Sequence, residues 1–361
     1  MDKKVGIITY YYDSVNYGGV LQAYALQKII ADLGFDCEQI CYMSESKNSK
    51  SGLKRIIKDI ISIKLRNRML LFDCFRKSIP HSEIIYDSNS IIDITKKYDA
   101  FVVGSDQVWN LKWFFPAYYL DFVPQKKMTY AVSLGKDDFN DCEISFYKDK
   151  ISKFDAVSIR EASTVKSLHQ RGIDVEYTLD PTLLLKRDDW NRISSERMIM
   201  EDYALCYFLG EDIASKKLTI EFAKNTKIKL VNIAHAGGLS KTDYIYHGHN
   251  IYDVGPREFI SLIKHAEYVF TDSFHCSVFS CIYTKKFITF DRANKKGMGN
   301  RIYDLLKLFN CSEHYCDSSE KSSLKYIENV IGNNYSADEF LKNEIIYSKK
   351  YLMNNLSKLI R

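Results

Sequence analysis

Hydrophobic and polar positions along the chain predict strands and helices in alternation. Val5–Tyr12 is an apolar and aromatic run typical of a strand. From Val20 to Leu33 the apolar residues recur with helical spacing, and Gly34 follows as a helix stop. Further predicted elements of this half are strands at 35–42, 100–103, 129–134, 154–159 and 175–177 and a helix at 161–171. Because strands that alternate with helices build parallel sheets, the pattern predicts a doubly wound domain.

The alternation begins again after Asp180-Pro181, where a polar segment makes the best interdomain linker. Strands are predicted at 203–209, 228–234 and within 267–290, and helices at 212–224, 256–266, 301–309 and 338–359. We therefore predict an α/β fold with two Rossmann-like doubly wound domains facing a cleft. The predicted domains are 1–185 and 186–335, with a C-terminal helix in 336–361 that can pack back across the domain boundary.

The stretch Glu267–Phe290 predicts a strand, a tight turn, a helix and a second strand. Asp272 and Ser273 supply N-cap chemistry, and His275 falls in the first turn of the helix. Open α/β sheets bind ligands at the carboxyl ends of their strands, which is where this turn lies. The helix dipole attracts anions there and disfavours an imidazolium, so a bound phosphate would favour a protonated His275. Taken alone, a single histidine is more often structural than catalytic.

Polar residues also follow strands of the first half. Ser105, Asp106 and Gln107 come after the buried run 100–103, and Gly104 allows a close approach of the backbone to a ligand. Trp109 either offers a face for sugar stacking or packs in the core.

Arg160 ends the predicted strand 154–159. Its guanidinium suits a carboxylate or phosphate, and the alternative is an ion pair with Glu161 or another neighbour.

Gly18 and Gly19 lie in the loop after the first strand but form neither a dinucleotide fingerprint nor a P-loop. They either permit a tight turn or belong to a ligand loop, in which Asn16 and Gln22 would bind a hydroxylated acceptor. His235, at another strand end and followed by two glycines, is a secondary candidate. His247 and His249 are interpreted as exposed loop residues, because no third metal ligand accompanies them.

Composition narrows the class of protein. The 361 residues are 46% hydrophobic with a net charge of +5, which predicts a globular chain and does not indicate nucleic-acid binding. The nine cysteines show no CxxC spacing, which indicates free thiols in a reducing compartment and no structural zinc. No apolar run approaches the length of a membrane-spanning helix. We expect a cytoplasmic protein, and no metal site is predicted.

The segment 47–77 contains ten Lys/Arg residues and two acidic residues among regularly spaced apolar positions. Such a basic amphipathic stretch suits peripheral contact with the inner face of the cell membrane. A surface helix that buries its apolar face against its own domain is the favoured alternative.

Six short motifs follow one another along the chain. They are Asn16-Tyr17-Gly18-Gly19 with Leu21-Gln22-Ala23, then Val103-Gly104-Ser105-Asp106-Gln107-Val108-Trp109-Asn110, Ser158-Ile159-Arg160-Glu161, Asp180-Pro181-Thr182-Leu183-Leu184, Thr271-Asp272-Ser273-Phe274-His275 and Asn300-Arg301-Ile302. In this order they resemble the polysaccharide pyruvyltransferase family. The resemblance implies a GT-B-like fold and transfer of pyruvate from phosphoenolpyruvate to two hydroxyls of a sugar. A cyclic ketal forms, phosphate leaves, and no cofactor is needed.

The resemblance also implies roles for residues. It places Arg160 and His275 at the phosphoenolpyruvate site, together with Ser273 and Phe274 of the same motif. One branch of the family has Arg-Leu-His where this chain has Ser273-Phe274-His275, so another cation must contribute the missing charge. Arg301 is the favoured replacement, and the other candidates are Arg292 and Lys296.

In this scheme the C-terminal domain holds phosphoenolpyruvate, and His275 protonates its C3. The N-terminal domain is the acceptor side, where Asp106 takes a hydroxyl proton or only hydrogen-bonds the sugar. The implied acceptor-binding residues are Asn16, Gly18, Gly19, Gln22, Ser105, Asp106, Gln107 and Trp109. The acceptor would belong to a cell-surface polysaccharide such as an exopolysaccharide or capsule, or to its lipid-linked precursor.

Two other functions fit the same fold. One is a glycosyltransferase with a nucleotide-sugar donor, although residues 253–304 lack the spaced acidic pair that many such enzymes carry. The other is a non-catalytic glycan-binding protein, which the serine at position 273 keeps open.

Overall fold

The computed structural model describes residues 3–43, 52–235, 241–292, 300–317, 323–336 and 339–361, with the backbone alone at 52–64, 241 and 300. In chain order the strands are β1 Lys4–Ile8, β2 Asp36–Tyr42, β3 His81–Tyr86, β4 Ala100–Val103, β5 Lys126–Thr129, β6 Ser158–Ile159, β7 Glu176–Tyr177, β8 Tyr203–Tyr207, β9 Lys229–Ile233, β10 Asn250–Ile251, β11 Tyr268–Thr271, β12 Lys286–Phe290 and β13 Tyr315–Cys316. The α-helices are α1 Tyr17–Asp32, α2 Gly52–Lys77, α3 Asp141–Ile151, α4 Ala162–Gln170, α5 Arg187–Ile193, α6 Ile213–Thr226, α7 Pro256–His265, α8 Phe274–Ile282, α9 Asn300–Lys307, α10 Leu324–Val330 and α11 Glu339–Leu359.

The chain divides into two compact units. The first unit consists of 1–47, 76–185 and 339–361, and the second of 48–75 and 186–338. The sequence places 48–75 in the N-terminal domain, whereas the structure groups this segment with the second unit. The change between residues 185 and 186 coincides with the polar linker that follows Asp180-Pro181.

Each unit is built on a parallel sheet covered by helices. The first sheet has the strand order β3-β2-β1-β4-β5, and the second has the order β10-β9-β8-β11-β12-β13. Strands β4 and β8 are buried at every position, as expected for strands covered on both faces. In both sheets the strand order reverses beside the first strand, between β1 and β4 and between β8 and β11. These reversals are the topological switch points at which such sheets bind ligands.

Several strands are shorter than the sequence predicts. The strand predicted at 5–12 ends at Ile8, because the chain then turns and Ser14 donates its N–H to the carbonyl of Tyr11. The strand predicted at 129–134 is observed as β5, Lys126–Thr129, followed by single bridges at Val132. Hydrophobicity continues beyond the strand ends because the following turns are also buried.

The placement of 48–75 has a physical cause in helix α2. The side chain of Arg68 is buried and donates to the carbonyls of Tyr252 at 2.8 Å and Ala234 at 2.9 Å. These carbonyls lie just beyond the ends of β10 and β9, where the sheet ladder no longer supplies partners. A buried arginine satisfies several acceptors at once, so α2 packs against the second sheet. Residues 47–51 of the basic stretch lie outside the described part of the chain.

The C-terminal helix α11 belongs to the first unit. Ser348 accepts a hydrogen bond from the N–H of Leu179 at 3.0 Å, and Tyr351 donates to the carbonyl of Thr129 at 3.2 Å. Among the described residues no helix has the length and apolar content needed to cross a bilayer.

Candidate functional site

Asp272 lies at the switch point of the second sheet, immediately after β11. Its carboxylate accepts the backbone N–H groups of Leu209 at 2.6 Å and Gly210 at 2.7 Å, which follow the adjacent strand β8. A Cβ on Gly210 would lie 2.7 Å from this carboxylate, so a side chain there would force Asp272 to move. Asp272 therefore joins the two strand ends, and it is Ser273 that caps the next helix.

Ser273 and His275 occupy the start of α8. The Ser273 hydroxyl accepts from the N–H of Cys276 at 3.4 Å, which makes Ser273 the N-cap. His275 lies in the first helical turn and is 7% exposed, with its ring edge against Phe274 at 5.1 Å between centroids. The predicted helix start at Ser273 and the predicted position of His275 both agree with the structure.

Two arginines lie beside this helix start. Arg292 follows β12, and its Nε donates to the backbone carbonyl of Asp272 at 3.2 Å. Its side chain is only 10% exposed, and its Nη2 is buried without a hydrogen-bond partner among the described residues. Arg301 begins α9, with its guanidinium 5.9 Å from the centroid of the Phe274 ring.

Arg292 and Arg301 line one closed crevice, too small for a water molecule, together with Asp272, Asp291 and Ile302. Both arginines thus contact neighbours of Ser273, the position at which the resemblance implies a missing cation. Lys296, the third candidate cation, lies outside the described residues.

The switch point of the first sheet is tied together by Gln22. This fully buried side chain donates to the Thr9 hydroxyl at 3.0 Å and the Gly19 carbonyl at 2.9 Å, and accepts the N–H of Ser105 at 2.9 Å. Gln22 therefore connects the ends of β1 and β4 with the first turn of α1. These contacts favour a structural role over sugar binding.

The turn glycines have a steric role. Asn16 caps α1 by accepting from the N–H of Gly19, and a Cβ on Gly19 would lie 2.9 Å from the Tyr10 carbonyl. Gly18 is buried in the same helical turn. Gly104 has φ +126°, and a Cβ there would lie 2.2 Å from the carbonyl of Tyr130. The close approach at Gly104 is thus to the protein's own backbone.

Arg160 is surrounded by carboxylates within the first unit. Its guanidinium lies 2.7 Å from Asp180, 3.4 Å from Glu161 and 3.5 Å from Asp106, and its side chain is 3% exposed. Burial by itself lowers the pKa of Arg160, but the three carboxylates together raise it above its ordinary value. The structure therefore gives Arg160 the ion pairs that the sequence offered as the alternative. The sequence did not identify Asp180 as the ion-pair partner of Arg160. The position of Asp180 in the Asp180-Pro181 turn was the signal that could have indicated it.

The remaining predicted acceptor residues differ in accessibility. Asp106 keeps a side chain that is 14% exposed, whereas Ser105 is fully buried and donates to the Ala131 carbonyl at 2.7 Å. Gln107 accepts from the Asn110 side chain at 2.9 Å. Trp109 is fully buried and donates to the carbonyl of Tyr118 at 3.0 Å, so its ring offers no face to a sugar. For Trp109 the core-packing alternative is correct.

His235 lies beside a buried lysine that the sequence did not reveal. Asp243 accepts the backbone N–H of His235 at 2.9 Å, and the same carboxylate lies 3.8 Å from the ammonium of Lys216. Burial lowers the pKa of Lys216, although Asp243 and Asp272 oppose the shift. No group of three or more potential metal ligands occurs in the described part of the chain.

The candidate residues thus fall into two sets. The second unit brings His275, Ser273, Phe274, Arg292 and Arg301 to one strand-end region. The first unit brings Asp106, Ser105, Gln22 and Gly19 to the other switch point, with Arg160 beside Asp106.

Comparison with known proteins shows the family and the fold of the chain. A family model described as polysaccharide pyruvyl transferase matches residues 16–294. No curated protein matches the sequence. A UDP-GlcNAc 2-epimerase from Methanocaldococcus jannaschii is similar in structure, with a TM-score of 0.54, 13% identity and coverage of 97% of this chain and 100% of that one. The same enzyme in complex with UDP-GlcNAc and UDP gives a TM-score of 0.51 at 13% identity, with the same coverages of 97% and 100%.

The UDP-N-acetylglucosamine 2-epimerase of Rickettsia bellii gives a TM-score of 0.53 at 10% identity, covering 100% of this chain and 97% of that one. These likenesses and the two parallel sheets confirm the predicted GT-B-like α/β fold with Rossmann-like units.

Proposed function

The chain belongs to the polysaccharide pyruvyl transferase family, and we propose that it transfers pyruvate from phosphoenolpyruvate to a sugar as a cyclic ketal. The sugar would be part of a cell-surface polysaccharide or its lipid-linked precursor, modified at the cytoplasmic face of the membrane. The donor belongs to the second unit and the acceptor to the first. No cofactor takes part in this scheme.

The observation that carries the proposal is the surroundings of His275. The histidine lies in the first turn of α8, where the helix N-terminus favours anions. Arg292 and Arg301 line a closed crevice beside that helix start, and both side chains are largely buried. Cations at this position would orient the phosphate and carboxylate of the donor and stabilise departing phosphate.

The chemistry balances with these groups. His275 gives a proton to C3 of phosphoenolpyruvate, the C2–C3 double bond supplies the electron pair, and C2 gains cationic character. One sugar hydroxyl bonds to C2 and passes its proton to Asp106. In the alternative, Asp106 only hydrogen-bonds this hydroxyl and the proton passes to solvent. A second hydroxyl bonds to C2 as the C2–O bond to phosphate breaks. Overall, one hydroxyl proton ends on C3 and the other leaves with phosphate.

Phosphate release from phosphoenolpyruvate with candidate β-galactoside acceptors, together with product mass, tests the proposal. We expect His275→Ala to lower kcat by about 100- to 10,000-fold, the usual range for a general acid.

Arg292→Met should raise the KM for phosphoenolpyruvate about tenfold or more, because a charged hydrogen bond is lost. His249→Ala, at an exposed histidine of the same unit, is the matched control and should keep full activity. Wild-type turnover by a folded His275→Ala variant would refute the role of His275.

Arg160 stays a predicted donor ligand by resemblance. Its three carboxylate neighbours give it a second role in the first unit, where it neutralises part of a buried acidic group. Peripheral membrane contact through 47–77 also stays a proposal, and the burial of Arg68 shows that part of this stretch faces its own unit.

A further inference from the structure

Aromatic side chains lie in the loops that follow β1 and β4, at the switch point of the first sheet. Tyr10 comes two residues after β1, and Phe115 lies in the loop after β4. Their rings stack with centroids 6.3 Å apart and an interplanar angle of 16°. Residues from two loops that follow neighbouring strands therefore stack on each other near this switch point.

Next to Phe115 the same loop exposes two further rings. Trp113 is 51% exposed and Phe114 is 47% exposed, while Tyr10 is 36% exposed. We call Tyr10, Trp113, Phe114 and Phe115 the aromatic loop surface. The four residues are grouped by their two loops: Tyr10 stacks on Phe115, and Phe114 stacks on Tyr119 at 5.4 Å. Exposed rings of this size suit the apolar face of a ligand.

Carboxylates flank this surface. The Tyr10 carbonyl and the Asp106 carboxylate lie 2.9 Å and 3.7 Å from the position of a Cβ on Gly19, so both are at the start of α1. Burial raises the pKa of Tyr10, and the nearby carboxylates of Asp13 and Asp106 raise it further. The two carboxylates disfavour a further negative charge beside Tyr10. They suit hydroxyl groups, which donate hydrogen bonds to carboxylates while the C–H face of a sugar packs on a ring.

We propose that the aromatic loop surface is the platform on which a neutral sugar ring of the acceptor packs, with Asp106 accepting its hydroxyls. The inference rests on the proposed function and names the chemistry of its acceptor side. It replaces the buried Trp109 with Tyr10 and Phe115 as the stacking residues, and it favours an uncharged sugar over a uronic acid at this position.

Intrinsic fluorescence can test the platform without any pyruvyl transfer. Of the three tryptophans, Trp109 and Trp190 are fully buried and only Trp113 is exposed. The full-length protein is titrated with neutral oligosaccharides that end in β-galactose, β-glucose or N-acetyl-β-mannosamine. We expect a saturable fluorescence change with at least one of them and its loss in Trp113→Phe. Calorimetric titration should give a Kd at least tenfold higher for Tyr10→Ala and Phe115→Ala.

Phe340→Ala is the matched control, because Phe340 is 53% exposed on α11 of the same unit. Its affinity for the oligosaccharide should equal that of the wild type. Tyr10→Phe keeps the ring and removes only the hydroxyl, so it should also keep the affinity within about threefold, because stacking needs only the face of the ring.

Three results would overturn the platform. The first is the absence of saturable binding across the whole panel, and the second is a Kd within twofold of wild type in folded Tyr10→Ala and Phe115→Ala variants. The third is a uronic-acid oligosaccharide that binds more tightly than its neutral counterpart.

Measurements of turnover distinguish a failure of this inference from a failure of the proposed function. If sugars bind through the aromatic surface but no pyruvyl ketal forms, the transfer reaction fails and the platform stands. If transfer proceeds and Tyr10→Ala keeps the wild-type KM for the acceptor, the platform fails and the reaction stands. The expected result is a raised KM for the acceptor with an unchanged KM for phosphoenolpyruvate.

Discussion

Arg160 shows how a strand-end residue acquires a structural role from its neighbours. One guanidinium faces the carboxylates of Asp106, Glu161 and Asp180 in a nearly water-free position. Arg160→Met would leave this acidic group without its cation, and we expect the free energy of unfolding to fall by about 3–5 kcal/mol.

Urea denaturation measures the loss at Arg160. Arg171→Met is the matched control, because Arg171 pairs with Asp141 on the surface of the same unit and should cost only about 0–1 kcal/mol. Equal midpoints for Arg160→Met and Arg171→Met would show that Arg160 has no stabilising role.

His314 predicts a pH dependence of stability. Burial lowers the pKa of this imidazole below its ordinary 6.5, although its hydrogen bond to the Phe287 carbonyl and the charge of Glu313 oppose the shift. The unfolded chain therefore binds more protons than the folded one as the pH falls below 6.5. The contribution of neutral His314 to stability is fully present above pH 6.5, and it is lost as the pH falls from 6.5 toward the lowered pKa of the folded state.

The variant His314→Asn can keep a donor for the Phe287 carbonyl but does not titrate. Denaturation at pH 7.5 and pH 5.5 should show a smaller acid loss in this variant than in wild type. Part of the loss should persist, because burial also lowers the pKa of His265 in the same unit. An identical acid loss in both proteins would rule out His314 as a source.

At the scale of elements, Arg68 is a long-range anchor of helix α2. Arg68 donates to four carbonyls at or just beyond the ends of β9 and β10, those of Ala234, His235, Ile251 and Tyr252. Arg68→Met would leave these acceptors without their donor, and we expect the second unit to lose about 2–3 kcal/mol. Urea unfolding and protease sensitivity of α2 measure the effect.

Arg66 provides the control for this helix. It is exposed and two residues earlier on the same element, so Arg66→Met should change stability by less than about 0.5 kcal/mol. If both variants unfold alike, the carbonyl contacts of Arg68 do not hold α2 in place.

At the scale of the whole molecule, stabilisation by a bound ligand can distinguish phosphoenolpyruvate from a nucleotide sugar as the donor, which the fold itself does not distinguish. A ligand that binds only the folded protein stabilises it by about 2.7 kcal/mol at 100 times its Kd. We expect phosphoenolpyruvate to raise the thermal midpoint and UDP or UDP-GlcNAc to leave it unchanged. Arg292→Met should weaken the shift with phosphoenolpyruvate. A shift with UDP alone would instead favour a nucleotide-dependent enzyme.

The sequence by itself determined most helices and strands, and the strand ends that polar candidate residues follow. Helical and strand periodicities reflect burial within one element, so the helix start at Ser273, the position of His275 and the two α/β halves followed from local pattern. The six motifs in order then determined the family, which the family model confirms.

Only the tertiary structure decided which side chains meet. By sequence Trp109 could either stack on a sugar or pack in the core, and packing buries it. Arg160 could either bind an anion or pair with a neighbouring acid, and Asp180, 20 residues away, pairs with it. Arg68 bonds to a carbonyl 184 residues away, which moves its segment into the second unit. Such partners lie on different elements, so no periodicity records them. The packing of those elements alone brings them within hydrogen-bond distance.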